Sequence, residues 1–381
     1  MPESAEGAPL VLDVEEPLAA PAAGDAAAPR RDPQSKAHHI DACLTSAVEY
    51  RKSAGFERCD FVNQALPEVS LEGLDLSQPL IGKTLGAPLM IAPMTGGIER
   101  AHVLNLRLAA AAQRHGLAMG VGSQRVGLES EERAAFFRVR SVAPSILLFA
   151  NFGVGQLAKG WGVDEARRAV DMIEADALYL HMNPIQEAAQ GGDVDFRGLA
   201  ARIKVLCTAL NKERIPVFAR EVGFGVSAEA ARLLIDAGIS GIDCAGAGGT
   251  SWSKVEGICA KSERRRKMGM AFGEWGIPTA TAIRAVRSVS TKIPLIATGG
   301  LRSGLDLAKA IGLGADVGAM ARPFLVAADA GEEALEAFIQ DTLLELRIAM
   351  FGIGAADLDA LRGTPHLREI DHETPRTRPL G

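Results

Sequence analysis

Eight short apolar runs recur between Pro88 and Ala321, and they limit the fold more than any other feature of the chain. They are Pro88–Ala92, Leu117–Val121, Ile146–Ala150, Ala177–His181, Pro216–Arg220, Gly241–Ala245, Pro294–Thr298 and Val317–Ala321. Each is nearly continuous in its hydrophobicity, as strands covered on both faces of a parallel sheet must be. Mostly helical segments separate them. After the first run, Val103, Leu104, Leu106, Leu108 and Ala109 recur at roughly helical spacing until Gly116 stops the helix. Strand–helix repetition gives either a closed barrel or an open doubly wound sheet. Nearly every run here ends in a polar or glycine-rich cluster. An open sheet gathers its ligand contacts at one switch point, whereas a barrel brings all eight strand ends to one mouth. The expected fold is therefore an α/β (β/α)8 TIM barrel whose mouth holds a phosphorylated cofactor.

The remaining chain divides simply. Residues 1–34 are rich in Ala, Pro, Glu and Asp, cannot bury enough apolar surface to offset ordering, and read as a disordered tail. Residues 35–362 form the barrel with an N-terminal extension. The stretch after Phe324 reads as helical to about Gly352, and residues 363–381, with Pro365, Pro375 and Pro379, read as a loop-like C-terminal tail. A net charge of −6 argues against a nucleic-acid reader, which carries a basic face. The one dense basic run, Arg264–Lys267, is either a solvated face or an anion-facing loop near the site. No apolar stretch reaches the ~20 residues needed to span a bilayer, and no signal peptide is evident. Five widely spaced cysteines without a C-x-x-C fit reduced thiols in a cytoplasmic protein, with Cys244 a buried structural thiol.

Several clusters at the run ends carry chemistry. Thr298–Gly304 follows the seventh run and Ala319–Pro323 the eighth. Loops at these places form the usual phosphate site of such barrels, and glycine lets the backbone approach the anion. Gly246–Ser251 is a second glycine-rich loop, able to contact phosphate or the edge of a cofactor, though such loops are common. His181, Asn183, Gln186 and Glu187 lie together at the end of the fourth run, with His181 and Asn183 on one strand face and Pro184 ending the ladder. A group like that is costly to bury without partners, so a substrate and metal site is expected. One carboxylate suits Mg²⁺, which keeps waters and takes phosphate oxygens, better than Zn²⁺. Arg125 and Arg220 end the second and fifth runs, each placed to pair with a carboxylate or to hold an anion, Glu221 being adjacent to Arg220 but facing the other way. Lys36, His38 and His39 form a basic cluster at a helix start. G-x-S-x-G, P-loop and H-E-x-x-H motifs are absent.

In this order the motifs Met94–Gly97, Val121–Arg125, Ala150–Gly153, His181–Glu187, Glu221–Gly225, Ala245–Trp252, Trp275–Thr279 and Thr298–Asp306 are specific. From about Lys36 to Gly354 the chain resembles the type 2 isopentenyl-diphosphate isomerases, which are FMN-dependent barrels. The resemblance implies interconversion of isopentenyl and dimethylallyl diphosphate with FMN and Mg²⁺. It implies too that NADPH keeps the flavin reduced and that the flavin itself serves as acid and base, while the protein supplies position and electrostatics. It also implies a homo-oligomer, a tetramer or octamer. By motif, Pro93, Met94, Thr95, Ser123, Asn151, Arg220, Thr250, Gly299, Gly300, Ala321 and Arg322 would contact FMN. Ser35, Lys36, His39, Ser123, Gln124 and Arg125 would border the diphosphate. His181, Asn183, Gln186 and Glu256 would serve the substrate as catalytic residues, and Glu187 would bind Mg²⁺.

Two positions depart from the family pattern. Ser35 stands where the N-terminal R-K-x-x-H signature has arginine, and Arg220 stands where the family has lysine before Glu-Val-Gly. Arginine keeps the charge but not the shape. Two other readings stay open: an FMN-dependent oxidoreductase on the same barrel, and a divergent paralogue with altered substrate or lost activity. A hydroxyacid oxidase would need a late-strand histidine base, and no histidine follows the fifth run until His366. Cys259 is the only loose match to a dehydrogenase nucleophile, and nothing around it suggests activation.

Overall fold

A computed structural model describes residues 33–370. All eight runs become strands: β1 (Leu89–Ile91), β2 (Ala118–Gly120), β3 (Leu148–Gly153), β4 (Ala177–Met182), β5 (Val217–Glu221), β6 (Gly241–Asp243), β7 (Leu295–Thr298) and β8 (Val317–Met320). Every neighbouring pair is parallel, and β8 closes on β1 through Gly318↔Leu89, Ala319↔Met90 and Met320↔Ile91. The expected TIM barrel is therefore what forms.

Alternate strand residues fill the barrel. Met90, Ala118, Phe149, Tyr179, Phe218, Ile296 and Ala319 make the inner cluster, with Phe149 stacked on Tyr179 at 4.4 Å between centroids. The other faces pack against the helices. Helix Val163–Ile173 buries Ala166, Ala169, Val170 and Ile173, the spacing of a single apolar stripe. Helix Glu99–His115 ends where expected, with Gly116 in the left-handed region at φ 64°. At the N-terminal end of the barrel an antiparallel hairpin, Gln78–Leu80 with Lys83–Leu85, places Leu80 and Leu85 over the inner cluster as a plug.

Two polar clamps sit among the strand starts. Arg140 donates to the carbonyls of Ala143, Ile146 and Glu174 and to Asp176, whose carboxylate also accepts the Leu148 amide. Arg287 does the same with Ser290, Ile293, Gly314 and Asp316, which accepts the Leu295 amide. Lys83 adds a third contact to Asp176 at 2.7 Å.

The ends of the chain carry two findings. Of the tail expected to be disordered, residues 1–34, residues 1–32 lie outside the described residues, and residues 33 and 34 instead begin a helix, Pro33–Leu44. The expectation of a loop from Gly363 is corrected. Leu367–Glu369 forms a strand antiparallel to Cys59–Phe61, in register Cys59↔Glu369. Its side chains are mostly exposed, so hydrophobic alternation gave no sign of it. The helical reading after Phe324 holds as Arg322–Ala330 and Glu332–Gly352, broken at Gly331. All five cysteines are free, Cys244 fully buried. Among the described residues no helix is long and apolar enough to cross a membrane.

Candidate active site

A cavity of about 610 Å³ opens at the C-terminal ends of the strands. Residues from all eight strand ends line it. Pro93, Met94 and Thr95 follow β1, Ser123 follows β2, and Asn151 lies in β3. His181, Asn183 and Gln186 come from β4 and its loop, Arg220 from β5, Thr250 from the loop after β6, Gly299 and Gly300 from β7, and Ala321 and Arg322 from β8. Lys36 and His39 reach it from the N-terminal helix. The sequence expectation thus brings sixteen of its residues to one wall-to-wall site.

The loops after β6 and β7 interlock through glycine. Gly299 and Gly300 adopt φ 105° and 76°, a region that favours glycine. A Cβ on Gly299 would overlap the Gly246 carbonyl, and one on Gly249 would lie 2.6 Å from the Gly300 amide nitrogen. Only bare backbone fits here, and it forms a cradle of peptide groups. Beside it helix Arg322–Ala330 starts at the cavity wall with no side-chain cap, leaving amide groups for an anion. The Arg322 and Arg302 guanidinium groups flank the cradle and share Glu49, at 2.6 and 2.8 Å. The cradle and its two guanidinium groups fit a phosphate-bearing cofactor such as FMN.

Opposite lies a chain of buried and half-buried polar side chains. Asn183 donates to Gln186 at 3.0 Å and to Glu187 at 2.8 Å. Gln186 donates to Glu256 at 2.7 Å, and Glu256 stands 3.6 Å from His39 Nε2. The other Glu187 oxygen accepts the Asp193 amide at 2.9 Å. Asn151 commits its amide nitrogen to the Val121 carbonyl, so its oxygen faces His181 and accepts from Nδ1 at 2.8 Å. Pro184 does not merely end the strand: it starts a short helix, Pro184–Gln190, that carries Gln186 and Glu187 one turn beyond it. Asn183 caps that helix and is not a strand residue, so the expected strand-face pairing with His181 is replaced by a cap position. Glu187 offers one carboxylate, and no group of three or more metal-binding side chains exists among the described residues. That donor set fits Mg²⁺, which takes one or two carboxylates and completes its shell with water and phosphate.

Five expected residues sit elsewhere. Gln124 is fully buried, its amide donating to the Ala169 carbonyl and its oxygen accepting the Asn151 amide, so it braces β3 and does not face the cavity. Glu256 and Glu187 stand one layer behind Gln186 and Asn183, off the cavity wall. Arg125 begins the helix Arg125–Glu129, half-buried and off the wall. Ser35 lies in the first turn of the N-terminal helix, with its side chain outside the described residues. Of the basic run, Arg264, Arg266 and Lys267 are exposed on helix Glu263–Ala271, while Arg265 turns in against Gly191 beside the Glu187 loop.

Sequence reasoning missed the strap Val48–Lys52. It crosses the mouth, with the Tyr50 amide on the Gly249 carbonyl and the Tyr50 hydroxyl donating to the carbonyls of Gly223 and Trp275. Glu274 ties it down by accepting the amides of Arg51 and Lys52 and the Lys254 ammonium at 2.5 Å. Burial opposes ionisation of Glu274, but these bonds outweigh it and hold the carboxyl at about 2. A folded-state value below the ordinary 4.5 means that stabilisation is present above 4.5 and is lost as pH falls toward 2. Acidifying from pH 5 to pH 2 is therefore expected to lower the melting temperature of the wild type more than that of Glu274→Gln. Parallel slopes for the two proteins would refute the assignment.

Comparison with known proteins places the chain. A family model described as FMN-dependent dehydrogenase matches residues 28–135 and 210–369. An isopentenyl-diphosphate delta-isomerase of Synechococcus sp. is 53% identical over 338 residues, covering 88% of this chain and 96% of that protein. One from Nostoc sp. is 49% identical over 337 residues, covering 88% and 95%. The chain belongs to the isopentenyl-diphosphate delta-isomerase family. Among solved structures, a flavocytochrome b2 variant matches with a TM-score of 0.60 at 16% identity, covering 87% of this chain and 82% of that one. A mandelate oxidase variant matches at 0.56 and 18%, covering 87% and 95%. At that identity these two share the barrel. The isomerase family's dependence on FMN agrees with the phosphate cradle.

Proposed function

We propose that the protein interconverts isopentenyl and dimethylallyl diphosphate, with FMN and Mg²⁺ bound and NADPH keeping the flavin reduced. The observation that carries this reading is the single cavity in which a glycine cradle faces a buried amide–carboxyl chain: one side suits the cofactor phosphate, the other a metal-bound diphosphate. Reduced FMN, when bound, supplies the acid and base that shift the double bond. Gly299, Gly300 and Arg322 hold its phosphate, and Thr95, Ser123, Asn151 and Thr250 border it. Lys36 and His39 present positive or donor groups to the diphosphate from the N-terminal helix. Arg125, half-buried at the start of its helix, joins that set by its place in the motif after β2. Glu187 binds Mg²⁺. His181, Asn183 and Gln186 fix the reacting carbons, their own geometry set from behind by Asn151, Glu187 and Glu256. Because Asn151 keeps a proton on His181 Nδ1, the imidazole is held in one orientation.

The reading extends to a cytoplasmic homo-oligomer. Exposed Met268, Met270, Phe272 and Trp275 on one segment are the kind of surface a subunit contact would cover. The test is direct. The purified protein is expected to carry a flavin spectrum. After anaerobic reduction with NADPH it should form dimethylallyl diphosphate from isopentenyl diphosphate, and only with Mg²⁺ present. A flavin-loaded, reduced sample that leaves isopentenyl diphosphate unchanged would sink the proposal.

A further inference from the structure

At the cavity floor Arg220 forms a buried ion pair with Asp243, whose carboxylate the proposed reaction does not use. Arg220 on β5 and Asp243 on β6 are direct partners in the barrel register, as are His181 on β4 and Arg220. An Arg220 Nη contacts an Asp243 carboxylate oxygen, with the side chains 7% and 0% exposed. The guanidinium also lies over the Tyr179 ring, 5.5 Å from its centroid. The other Asp243 oxygen accepts the Ala245 amide at 3.3 Å, at the root of the glycine-rich loop after β6. Arg220 lines the cavity and Asp243 does not. The arginine is therefore held on two sides, by Asp243 and by the Tyr179 ring, while its side chain borders the cavity.

We propose that Asp243 is a positioning residue for the cofactor: it draws the Arg220 guanidinium down onto β6 and offsets its charge, so that Arg220 offers FMN directed N–H groups with little net positive field. The proposal rests on the FMN part of the reading above. A lone buried guanidinium under a flavin would strongly favour the negatively charged reduced form. A cofactor that must both give and take a proton is poorly served by such one-sided stabilisation. Asp243, at direct contact distance and fully enclosed, cancels most of that field without reaching the cavity itself. Burial pushes the Asp243 carboxyl up, and the cation beside it opposes that shift, so each charge depends on the other. A guanidinium suits this task better than an ammonium, because one edge can bind Asp243 while another faces the ligand.

The experiment is to measure the two-electron reduction potential of bound FMN without isopentenyl diphosphate. Asp243→Asn strands the Arg220 cation and is expected to favour the reduced flavin at least about tenfold, an upward shift of about 30 mV. The double variant R220Q/D243N removes both charges and should return the potential toward the wild-type value. FMN-loaded Asp243→Asn with an unchanged or lower potential would overturn the proposal, since a purely structural Asp243 would not move the potential in this direction. If Asp243→Asn alone fails to fold, R220Q/D243N must recover folding and FMN binding, because the stranded charge is gone. Loss of both proteins would show that Asp243 acts only as scaffold, and the proposal would fall. These readouts do not depend on isomerase turnover, so failure here leaves that reading standing.

Discussion

Gly299→Ala is expected to remove FMN from the protein while leaving the barrel folded. The residue sits at φ 105°, and an added Cβ would overlap the Gly246 carbonyl. Backbone strain at such a position costs about 1–3 kcal/mol, and overpacking adds a similar about 1–3 kcal/mol. A domain stable by roughly 5–15 kcal/mol survives that load. The cradle does not, because relief requires the β6 and β7 loops to part, and their spacing is what aligns the peptide groups on the phosphate. Affinity for FMN should fall by about 100-fold or more, the equivalent of about 2.7 kcal/mol. Flavin release on gel filtration and circular dichroism measure the two halves of this prediction. A variant that retains flavin through the column would show that the cradle tolerates the side chain.

Glu187→Gln is the second large effect. Its two oxygens accept from Asn183 and from the Asp193 amide, so the carboxylate is held in one orientation before any metal arrives. A glutamine keeps the shape, loses the charge, and turns an NH₂ group toward a donor. Loss of merely an outer partner of a metal site costs about 10–100-fold, so loss of the ligand itself should lower Mg²⁺-dependent turnover by about 100-fold or more. Bound flavin should be unaffected, because Glu187 stands off the cavity wall. Turnover that keeps its wild-type dependence on Mg²⁺ would remove Glu187 from the metal role.

Much of this was legible in the chain because it was written locally. Each barrel strand is covered on both faces, so burial makes each an uninterrupted apolar run. The phosphate cradle was legible because glycine at Gly299 and Gly300 answers a backbone demand that no other residue meets well. What stayed hidden depends on partners far apart in sequence. Asp243 lies in an apolar run, and nothing nearby announces that its charge is met by Arg220. Gln124 stands between two expected ligand contacts, yet its side chain turns inward to hold β3. Glu49 and Tyr50 look like an ordinary polar segment until the fold lays them across four strand ends. The Leu367–Glu369 strand is short and mostly exposed, so backbone pairing alone defines it.

The two clamps at the foot of the barrel have a larger meaning. Arg140, Ala143, Ile146 and Leu148 recur at one constant offset along the chain as Arg287, Ser290, Ile293 and Leu295, with Asp176 answered by Asp316. The ring is thus two four-stranded halves built to one plan, each closing its third and fourth strands with the same latch. Their upper rims have diverged. The first half brings Asn151, His181 and Asn183, while the second brings Arg220, Thr250 and the glycine cradle. Equivalent foundations support unlike chemistry, and neither half alone holds a complete site: the reactive centre exists only across the seam.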